Sequence, residues 1–597
     1  MFKKLTRLNA AAISLAVITL GSCVDNDYDL SEDIDLNMTL GGNLITLPSS
    51  STGEITLSEV LDLDENESSI KTAKYDGQYG VAKDDYVLVQ DGSSEPANFD
   101  VPEVEIDGMA PNTMKSGELT YVNLGVEIPP VLASTTNTIK IHSNNVPSSL
   151  KELLSATTDI DIRFTVAFES TDFTGTAYIN EGFKATFPDT WTLEVDDPET
   201  AAFISVQNKH DLVFTKQKGI TKDAPMHAVV RLVHVNLEGL PAGQGLTNGE
   251  FKLDNTLTAE GMVSVTPGDL PLYQTANLKL VTTTEIVSSD PLRKPRILEV
   301  TGRVDPEINV DATSFTISDI PDFLSDEGNN LDVENPQINL IVNNDSPLSL
   351  EVSGKLTAYV KDAQSANIEI GSKYGKKQIL VTPGNSTIVL SRRPISDPTV
   401  TNVVVDNLGD LISTIPDRIS FDGIECKALE QPVTFQLGKT YTFDAKYEAV
   451  VPLAFGQNMK LHYTHEETDW DTDLDDYNFK EVGASLNVVS TLPLEMTPKV
   501  KALGVNGQEI TTVVASVEGT VAPGTIASPK TSKLKITIKS TGGNLSDLDG
   551  IRLIFDAKTP AEMVGVNLNA NQILKFEDIC LEIRGGITVD LNDMDEE

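Results

Sequence analysis

Hydrophobic and polar residues alternate one by one along much of this 597-residue chain. Ile160, Ile162, Phe164, Val166 and Phe168 share one face of such a segment, and mostly polar residues lie between them. Successive side chains of a β-strand point to opposite faces of the sheet, so a period of two predicts strands with one buried and one solvated side. Strands of this kind are typical of antiparallel sandwiches.

The same alternation recurs at 441–447 and 534–538, whereas helical spacing is confined to short stretches at 58–62, 148–156 and 407–413. We therefore predict an all-β fold of tandem antiparallel β-sandwiches, of immunoglobulin or fibronectin type, with a few short connector helices.

The chain is too long for one hydrophobic core, because single cores stop growing at about 250–300 residues. Polar, Pro-rich stretches at 288–295 and 391–398 have the composition of linkers. The predicted segments are a signal peptide (1–22), an acidic tether (23–36), an N-terminal β domain (37–128), one or more β domains (129–294), an immunoglobulin-like sandwich (295–398) and one or more C-terminal β domains (399–597).

The segment between the two linkers contains enough strand candidates for one small sandwich. About seven short strands in roughly 100 residues suit an immunoglobulin-like domain. The candidates are 298–303, 314–317, 337–342, 348–360, 366–370, 378–382 and 387–390.

The first 22 residues have the features of an export signal. Lys3, Lys4 and Arg7 precede the apolar run 8–20, which is shorter than the roughly 20 residues that a membrane-spanning helix needs. A cleavable signal peptide fits this pattern better. The run ends in Leu-Gly-Ser-Cys23, which resembles the lipobox of bacterial lipoproteins. The resemblance implies cleavage before Cys23 and a membrane partner bound through acyl chains on that residue.

The acidic stretch that follows Cys23, with the sequence CVDNDYDLSEDID, resembles the start of uncharacterised surface lipoproteins of Bacteroidetes. This resemblance implies a lipid-anchored protein of the outer membrane that faces outward. A solvated, flexible spacer is the plainer interpretation of such a charge block, and both can hold.

Acidic residues strongly outnumber basic ones. Lys and Arg number 45 and Asp and Glu number 89, which gives a net charge of −44. A surface this acidic repels nucleic acid, so we exclude a nucleic-acid partner.

Cysteine is scarce in the body of the protein. Apart from Cys23, only Cys426 and Cys580 occur. They could form one disulfide in an oxidising compartment. They could equally be two buried thiols, because cysteine packs like a small hydrophobic residue.

An acidic run after the strand-like segment at 460–467 is a candidate Ca²⁺ site, since Ca²⁺ takes six to eight oxygen ligands. An EF-hand is excluded, because Leu474 and Lys480 stand where that loop needs Gly and Glu. An irregular Ca²⁺ loop and an exposed acidic loop both remain open, and no other cofactor is expected. The candidate ligands are Asp469, Asp471, Asp473 and Asp475.

The sequence gives little support for a glycan-stacking site, a zinc protease or a glycosidase. Trp470 lies in the acidic run and could stack on a glycan or simply pack. His462 and His465 cluster, but a zinc protease would need a second His at the position of Asp469, on a helix. Carboxylate pairs are everywhere in so acidic a chain, so none points to a glycosidase. We do not expect an enzyme.

Three functions are compatible with these observations, in order of preference. The first is a non-enzymatic binding, adhesion or structural protein on the outer membrane surface, with a glycan or protein partner. The second is an envelope carrier that encloses an apolar ligand between its sheets, suggested by the apolar segments 452–455 and 492–496, which would serve equally well as core strands. The third is a surface glycan hydrolase, for which no residues can be named.

Overall fold

A computed structural model of the chain describes residues 37–40, 44–46, 51–64, 67–247, 249–288, 293–318, 320–321, 324, 328–468, 479–543, 545–584 and 587–590. Strands make up most of it, which confirms the predicted all-β fold. The helices are α1 (Leu57–Leu61) and α2 (Pro198–Ala201), with single 3₁₀ turns at Gln78–Gly80, Ser372–Tyr374, Leu408–Ile412 and Ala561–Met563. The expected connectors at 58–62 and 407–413 are thereby confirmed.

The strands of the first half are β1 (Asn37–Leu40), β2 (Ile45–Thr46), β3 (Ile55–Thr56), β4 (Ile70–Thr72), β5 (Tyr86–Ser93), β6 (Ala97–Val101), β7 (Val104–Glu105), β8 (Asn112–Val122), β9 (Val131–Ser143), β10 (Leu150–Glu169), β11 (Ala177–Ile179), β12 (Lys184–Thr186), β13 (Trp191–Glu194), β14 (Ile204–Gln207), β15 (Asp211–Phe214), β16 (Lys218–Ile220), β17 (Met226–Asn236), β18 (Gly245–Thr247), β19 (Glu250–Val265) and β20 (Thr275–Val287).

The strands of the second half are β21 (Arg296–Val304), β22 (Thr313–Thr316), β23 (Gln337–Asn344), β24 (Leu350–Val360), β25 (Ala363–Ile370), β26 (Ile379–Val381), β27 (Gly384–Ser391), β28 (Thr401–Val404), β29 (Arg418–Ala428), β30 (Val433–Gln436), β31 (Lys439–Pro452), β32 (Lys460–Glu467), β33 (Glu481–Ser490), β34 (Glu495–Leu503), β35 (Val513–Glu518), β36 (Lys530–Ser540), β37 (Gly550–Lys558), β38 (Ile573–Arg584) and β39 (Ile587–Asp590).

Two eight-stranded sheets form the N-terminal sandwich. Sheet I has the order β13-β17-β10-β20-β8, with β21 beside β10 and with β7 and β30 paired to β21. Sheet II has the order β14-β15-β12-β19-β11-β16, with β9 and β18 beside β19. The two sheets face each other across a core of aromatic side chains, in which Phe164 and Trp191 are 0% and 1% exposed. Tyr121 of sheet I donates its buried hydroxyl to the carbonyl of Val263 in sheet II at 2.8 Å.

The middle sandwich combines a seven-stranded and a five-stranded sheet. Sheet III has the order β28-β27-β23-β31-β5-β4, with β6 beside β31, and contains one parallel pair, β27 with β28. Sheet IV has the order β22-β29-β24-β25, with β26 beside β24. Phe315 of sheet IV and Tyr447 of sheet III bring their ring centroids within 5.3 Å.

The C-terminal sandwich combines sheet V, with the order β2-β38-β33-β36-β35 and β3 beside β38, and sheet VI, with the order β32-β37-β34. The two sheets meet along one side, where Met496 and Val521 exchange two backbone hydrogen bonds of 3.0 and 2.9 Å. The opposite side ends at β32 in sheet VI and at the N-terminal strands β2 and β3 in sheet V. A separate two-stranded ribbon pairs β1 with β39.

The sheets do not follow the predicted domain boundaries. Strands from 37–128 are distributed over sheets I, III and V, because β5 and β6 pair with β31 and β8 pairs with β20. All seven strands expected between 298 and 390 are present, but they belong to sheets I, III and IV. The segment 295–398 is therefore not a self-contained immunoglobulin-like sandwich, and the prediction of one was wrong.

The helix expected at 148–156 is also absent, since Leu150 begins the long strand β10. Leu150, Leu153 and Ala156 are all buried at intervals of three residues, as on a helix face. The pairing of β10 with β21 shifts register after Leu150 and again after Leu153. Each bulge inserts one extra residue, so a strand reproduces the spacing that indicated a helix.

Candidate functional site

Strand β33 presents a regular apolar face to the interior of the C-terminal sandwich. Val482, Ala484, Leu486 and Val488 line this interior, whereas Ser485 between them does not. The period of two in the sequence thus places every second residue of the strand inside. All but Val488 remain partly exposed, although they lie between two sheets.

Strand β38 keeps its apolar face turned inward by means of a bulge at Asp578. Leu574 and Phe576 line the interior before the bulge, and Ile579 and Leu581 line it afterwards. Asp578 has a φ of +51°, and the pairing of β38 with β33 shifts by one residue at this point. The extra residue changes the phase of the alternation, and without it the second pair would face solvent.

Sheet VI and strand β36 of sheet V supply the opposite and lateral walls. Every contributing side chain is apolar except Tyr463, whose pKa is raised by burial. These residues are Leu461 and Tyr463 on β32, Met496 and Pro498 on β34, Ile551, Leu553, Phe555 and Ala557 on β37, and Leu534, Ile536 and Ile538 on β36.

The walls enclose an apolar cavity of about 470 Å³. Phe479, Leu545 and Leu548 form a buried cluster with the end residues of sheet V and close one end. The other end continues to the middle sandwich, where Leu453 and Phe455 also line it. Ligand pockets in proteins commonly have volumes of about 300–1,000 Å³ and mainly apolar walls, so this cavity has the size of a binding site.

The short helix α1 covers the open side of the cavity. Its N-terminus has a capping box, in which Glu59 N donates to Thr56 Oγ1 at 3.2 Å and Thr56 N donates to a Glu59 carboxylate oxygen at 3.1 Å. The box fixes the helix start, and Leu57, Val60 and Leu61 then contribute to the lining.

The segment before α1 is tied to β38 along its length. Thr52 N donates to the Phe576 carbonyl at 2.8 Å, and Leu57 N donates to the Gln572 carbonyl at 2.7 Å. Glu54 and Glu59 line the cavity and are exposed, so the cavity meets solvent beside them.

The outer face of sheet VI holds a second group of interest. Thr464 Oγ1 lies 3.3 Å from His462 Nε2, and His462 Nδ1 lies 2.7 Å from an Asp556 carboxylate oxygen. Lys499 binds the other oxygen, and it and His462 hold the pKa of Asp556 below its usual range. A hydroxyl, an imidazole and a carboxylate in this order resemble a catalytic relay. The group lies on an exposed sheet face without a cavity, and we assign it a role in cross-strand pairing.

Most of the site residues expected from the sequence lie outside the part of the chain that the structure describes. Within that part, no group of three or more His, Cys, Asp or Glu side chains is arranged to hold a metal ion. The prediction of an irregular Ca²⁺ loop stays a prediction. The residues outside the description are Cys23, Asp469, Trp470, Asp471, Asp473 and Asp475.

Cys426 lies on β29 in sheet IV, and Cys580 lies on β38 in sheet V. Cys426 has a free thiol whose pKa is raised to about 11 by burial. Cys426 is half-buried, and the choice between a disulfide and two separate thiols stays a prediction.

A cluster of exposed apolar side chains occupies one end of the N-terminal sandwich. Leu124 and Val126 on one connection are 63% and 66% exposed, and Leu272 and Tyr273 on another are 54% and 77% exposed. Tyr273 N donates to the Asn123 carbonyl at 2.7 Å and thereby joins the two connections. We call these four residues the apolar tip.

The helices in the described part of the chain include none that is long and apolar enough to cross a membrane.

Sequence reasoning identified part of the cavity lining and missed the rest. Leu453 and Phe455, and likewise Leu492, Leu494 and Met496, belong to the two segments named as possible ligand-binding faces, and all of them line the cavity. The face of β38 was missed because its alternation changes phase at Asp578. A search for apolar alternation with a one-residue slip would have found it.

Comparisons with known proteins add little. No family model and no curated protein matches the chain. A solved structure of a candidate secreted protein from Parabacteroides distasonis ATCC 8503 is 17% identical and covers 47% of this chain and 83% of its own, with a TM-score of 0.35. A structure of Sulfolobus turreted icosahedral virus is 10% identical and covers 74% of this chain and 89% of its own, with a TM-score of 0.10. Likenesses this weak carry no argument about fold or function.

Proposed function

We propose that this protein is a lipid-anchored envelope protein that binds an apolar ligand between sheets V and VI. One observation carries the proposal, namely the apolar cavity of about 470 Å³ inside the C-terminal sandwich. The cavity favours the carrier, the second function expected from the sequence.

An apolar cavity of this size is costly when it is empty. Voids in protein cores destabilise by an amount that grows with their volume, at about 24 cal/mol per Å³ for small closed cavities. Water would fill it poorly, because a buried water needs two to four polar partners. An apolar ligand would offset both penalties.

The position of the predicted anchor supports exchange with a membrane. Only residues 23–36 separate Cys23 from β1, and 14 extended residues span at most about 50 Å. Strands β2 and β3, which follow β1 along the chain, belong to the C-terminal sandwich, so an anchor at Cys23 would tether the chain close in sequence to the cavity-containing sandwich.

We place the adhesive or structural function second. Its best surface is the apolar tip, since contiguous exposed apolar residues commonly mark interaction sites. Nothing in the structure indicates what covers this tip. A glycan hydrolase ranks last, because the described cavity lining is mainly apolar, which suits a hydrocarbon better than a sugar.

The test is to extract the purified full-length protein with organic solvent and identify bound molecules by mass spectrometry. The delipidated protein is then titrated with a fluorescent fatty-chain probe. The informative variant is Ala484→Phe, which points into the cavity between Ile536 and Leu581. Its ring fills a volume of roughly 150 Å³, the size of a benzene-binding cavity.

We expect probe binding by the Ala484→Phe variant to weaken about tenfold, since overpacking costs about 1–3 kcal/mol. Its Tm without ligand should stay equal or rise, because the ring buries apolar surface in a void. Ser485→Phe, on the other face of the same strand, is the matched control and should bind as the unmodified protein does. Equal binding by both variants, or a delipidated protein that takes up no probe, would contradict the proposal.

A further inference from the structure

The shape of the cavity restricts the ligand that it can take, and the choice of ligand class rests on the proposed function. The β38 residues that line the cavity run from Ile573 to Leu581. At about 3.3 Å per residue this wall is roughly 30 Å long, whereas facing sheets pack about 10 Å apart. The space is therefore long and narrow.

The volume restricts the ligand further. A cavity of about 150 Å³ holds a benzene ring of six carbons. The volume of about 470 Å³ is three times larger, which corresponds to roughly 18 carbons. A long space of this volume fits one extended hydrocarbon chain.

The polar end of such a chain has one place to go. The end of the sandwich next to Phe479, Leu545 and Leu548 is closed by buried apolar side chains. The cavity meets solvent beside Glu54 and Glu59, which are exposed. A head group would therefore lie at these two carboxylates.

The charged side chains that line the cavity are of one sign. Among the described residues that line the cavity, Glu54 and Glu59 are the charged ones, and no Lys, Arg or His contributes. Lys575 interacts electrostatically with Glu54 but is paired with Glu577 at 2.7 Å. Among these residues an anionic head group would therefore meet two like charges and a cation that already has a partner.

We infer that the cavity takes a single-chain amphiphile with a neutral or cationic head group and discriminates against fatty-acid anions. The chain lies between sheets V and VI, and the head group lies beside Glu54 and Glu59. Repulsion between like charges at an exposed site is weak, so the discrimination should be about three- to tenfold in affinity.

The test compares three probes with the same twelve-carbon chain on the delipidated full-length protein. The probes are dodecanoylglycerol, dodecyltrimethylammonium and dodecanoate, each below its critical micelle concentration at pH 7.4, with affinities from isothermal titration calorimetry. We expect the neutral and cationic probes to bind about three- to tenfold more tightly than dodecanoate. Lower ionic strength should widen the difference, because salt screens exposed charges.

A double variant, Glu54→Gln with Glu59→Gln, tests whether these two carboxylates cause the difference in affinity between the probes. Glutamine can replace glutamate in a capping box, so α1 should keep its start. In this variant the difference between dodecanoate and dodecanoylglycerol should fall below about twofold. The matched control is Glu238→Gln with Glu260→Gln, two exposed acids of the N-terminal sandwich, which makes the same change in net charge and should leave the difference intact.

The outcomes distinguish the inferred charge selectivity from the proposed binding function of the cavity. If all three probes bind equally, or if both double variants behave alike, the charge selectivity is wrong while the cavity remains a binding site. If no probe binds, the proposed function is wrong as well.

Discussion

The N-terminal and C-terminal sandwiches are built from the same kind of alternating strand and differ in what lies between their sheets. In the N-terminal sandwich, large rings such as Phe164, Phe183 and Trp191 fill the interior and are at most 1% exposed. In the C-terminal sandwich, inward-facing residues such as Leu553 and Phe555 keep part of their surface uncovered. The pattern of alternation decides which side chains face inward, but only their volumes decide whether the interior is a core or a cavity.

The largest expected difference between the two sandwiches is in the stability lost when a ring is removed. Phe164→Ala should reduce the free energy of unfolding by about 3–5 kcal/mol, as usual for a packed core. Phe555→Ala should cost only about 1–2 kcal/mol in ligand-free protein, because this residue is only half-buried. Urea titrations of both variants would measure this, and equal losses would contradict an unfilled interior.

A smaller difference is expected from ion pairs in the two regions. Asp161 is 7% exposed in its side chain and binds Arg231 Nε at 3.0 Å in the N-terminal sandwich. Asp161→Asn should cost about 1–3 kcal/mol, because hydrogen bonds between charged groups are strong where solvent is excluded.

The matched pair in the C-terminal sandwich joins Glu466 to Arg552 Nε at 2.6 Å, with Glu466 45% exposed. Glu466→Gln should cost less than about 1 kcal/mol, as exposed pairs do. Urea titrations of Asp161→Asn and Glu466→Gln would measure the loss in the free energy of unfolding for each variant. A larger loss for Glu466→Gln would reverse the comparison.

The smallest expected effect on stability depends on pH. It comes from the carboxyl group of Asp556 on the outer face of sheet VI. The hydrogen bond from Lys499, and then that from His462, lowers the pKa of this carboxyl. Its contribution to stability is thus fully present above the ordinary value of about 3.9 and is lost as the pH falls through the folded value.

The Asp556→Asn variant should be less stable by under about 1 kcal/mol at pH 7, since the side chain is 40% exposed. This difference should fade below about pH 4. Urea midpoints at pH 7, 5 and 3 would show it, with Asp223→Asn in an exposed turn as the control. A difference that persists at pH 3 would mean that the carboxylate charge is not its cause.

Local features of the fold could be predicted from the sequence, and long-range ones could not. The alternation located all seven strands between 298 and 390, because the side-chain period of a strand is a local property. The domain boundaries failed because β5 and β6 pair with β31, more than 300 residues away. No local pattern specifies such a partner. The helix expected at 148–156 failed because two bulges produced helical spacing in a strand.

The candidate site could be predicted only in part. The segments 452–455 and 492–496 were recognised as apolar faces, but an apolar face looks the same whether it packs against a core or lines a cavity. Glu54 and Glu59 gave no signal, since single carboxylates are uninformative in a chain with 89 acidic residues.

The pairing of the first strands with the last has a consequence for how the molecule is made. The hydrogen bonds between Thr52 and Phe576 join residues 524 positions apart, so the edge of sheet V forms only after residue 576 has been synthesised. Closing a loop of this length costs about 3 kcal/mol more than closing one of 16 residues, at about 0.6 kcal/mol per doubling. Until then β33 lacks the partner that β38 provides, and a bare strand edge of this kind invites aggregation. The cavity-containing sandwich is therefore the last part to assemble, and it is the part of the nascent protein that most needs protection by a chaperone.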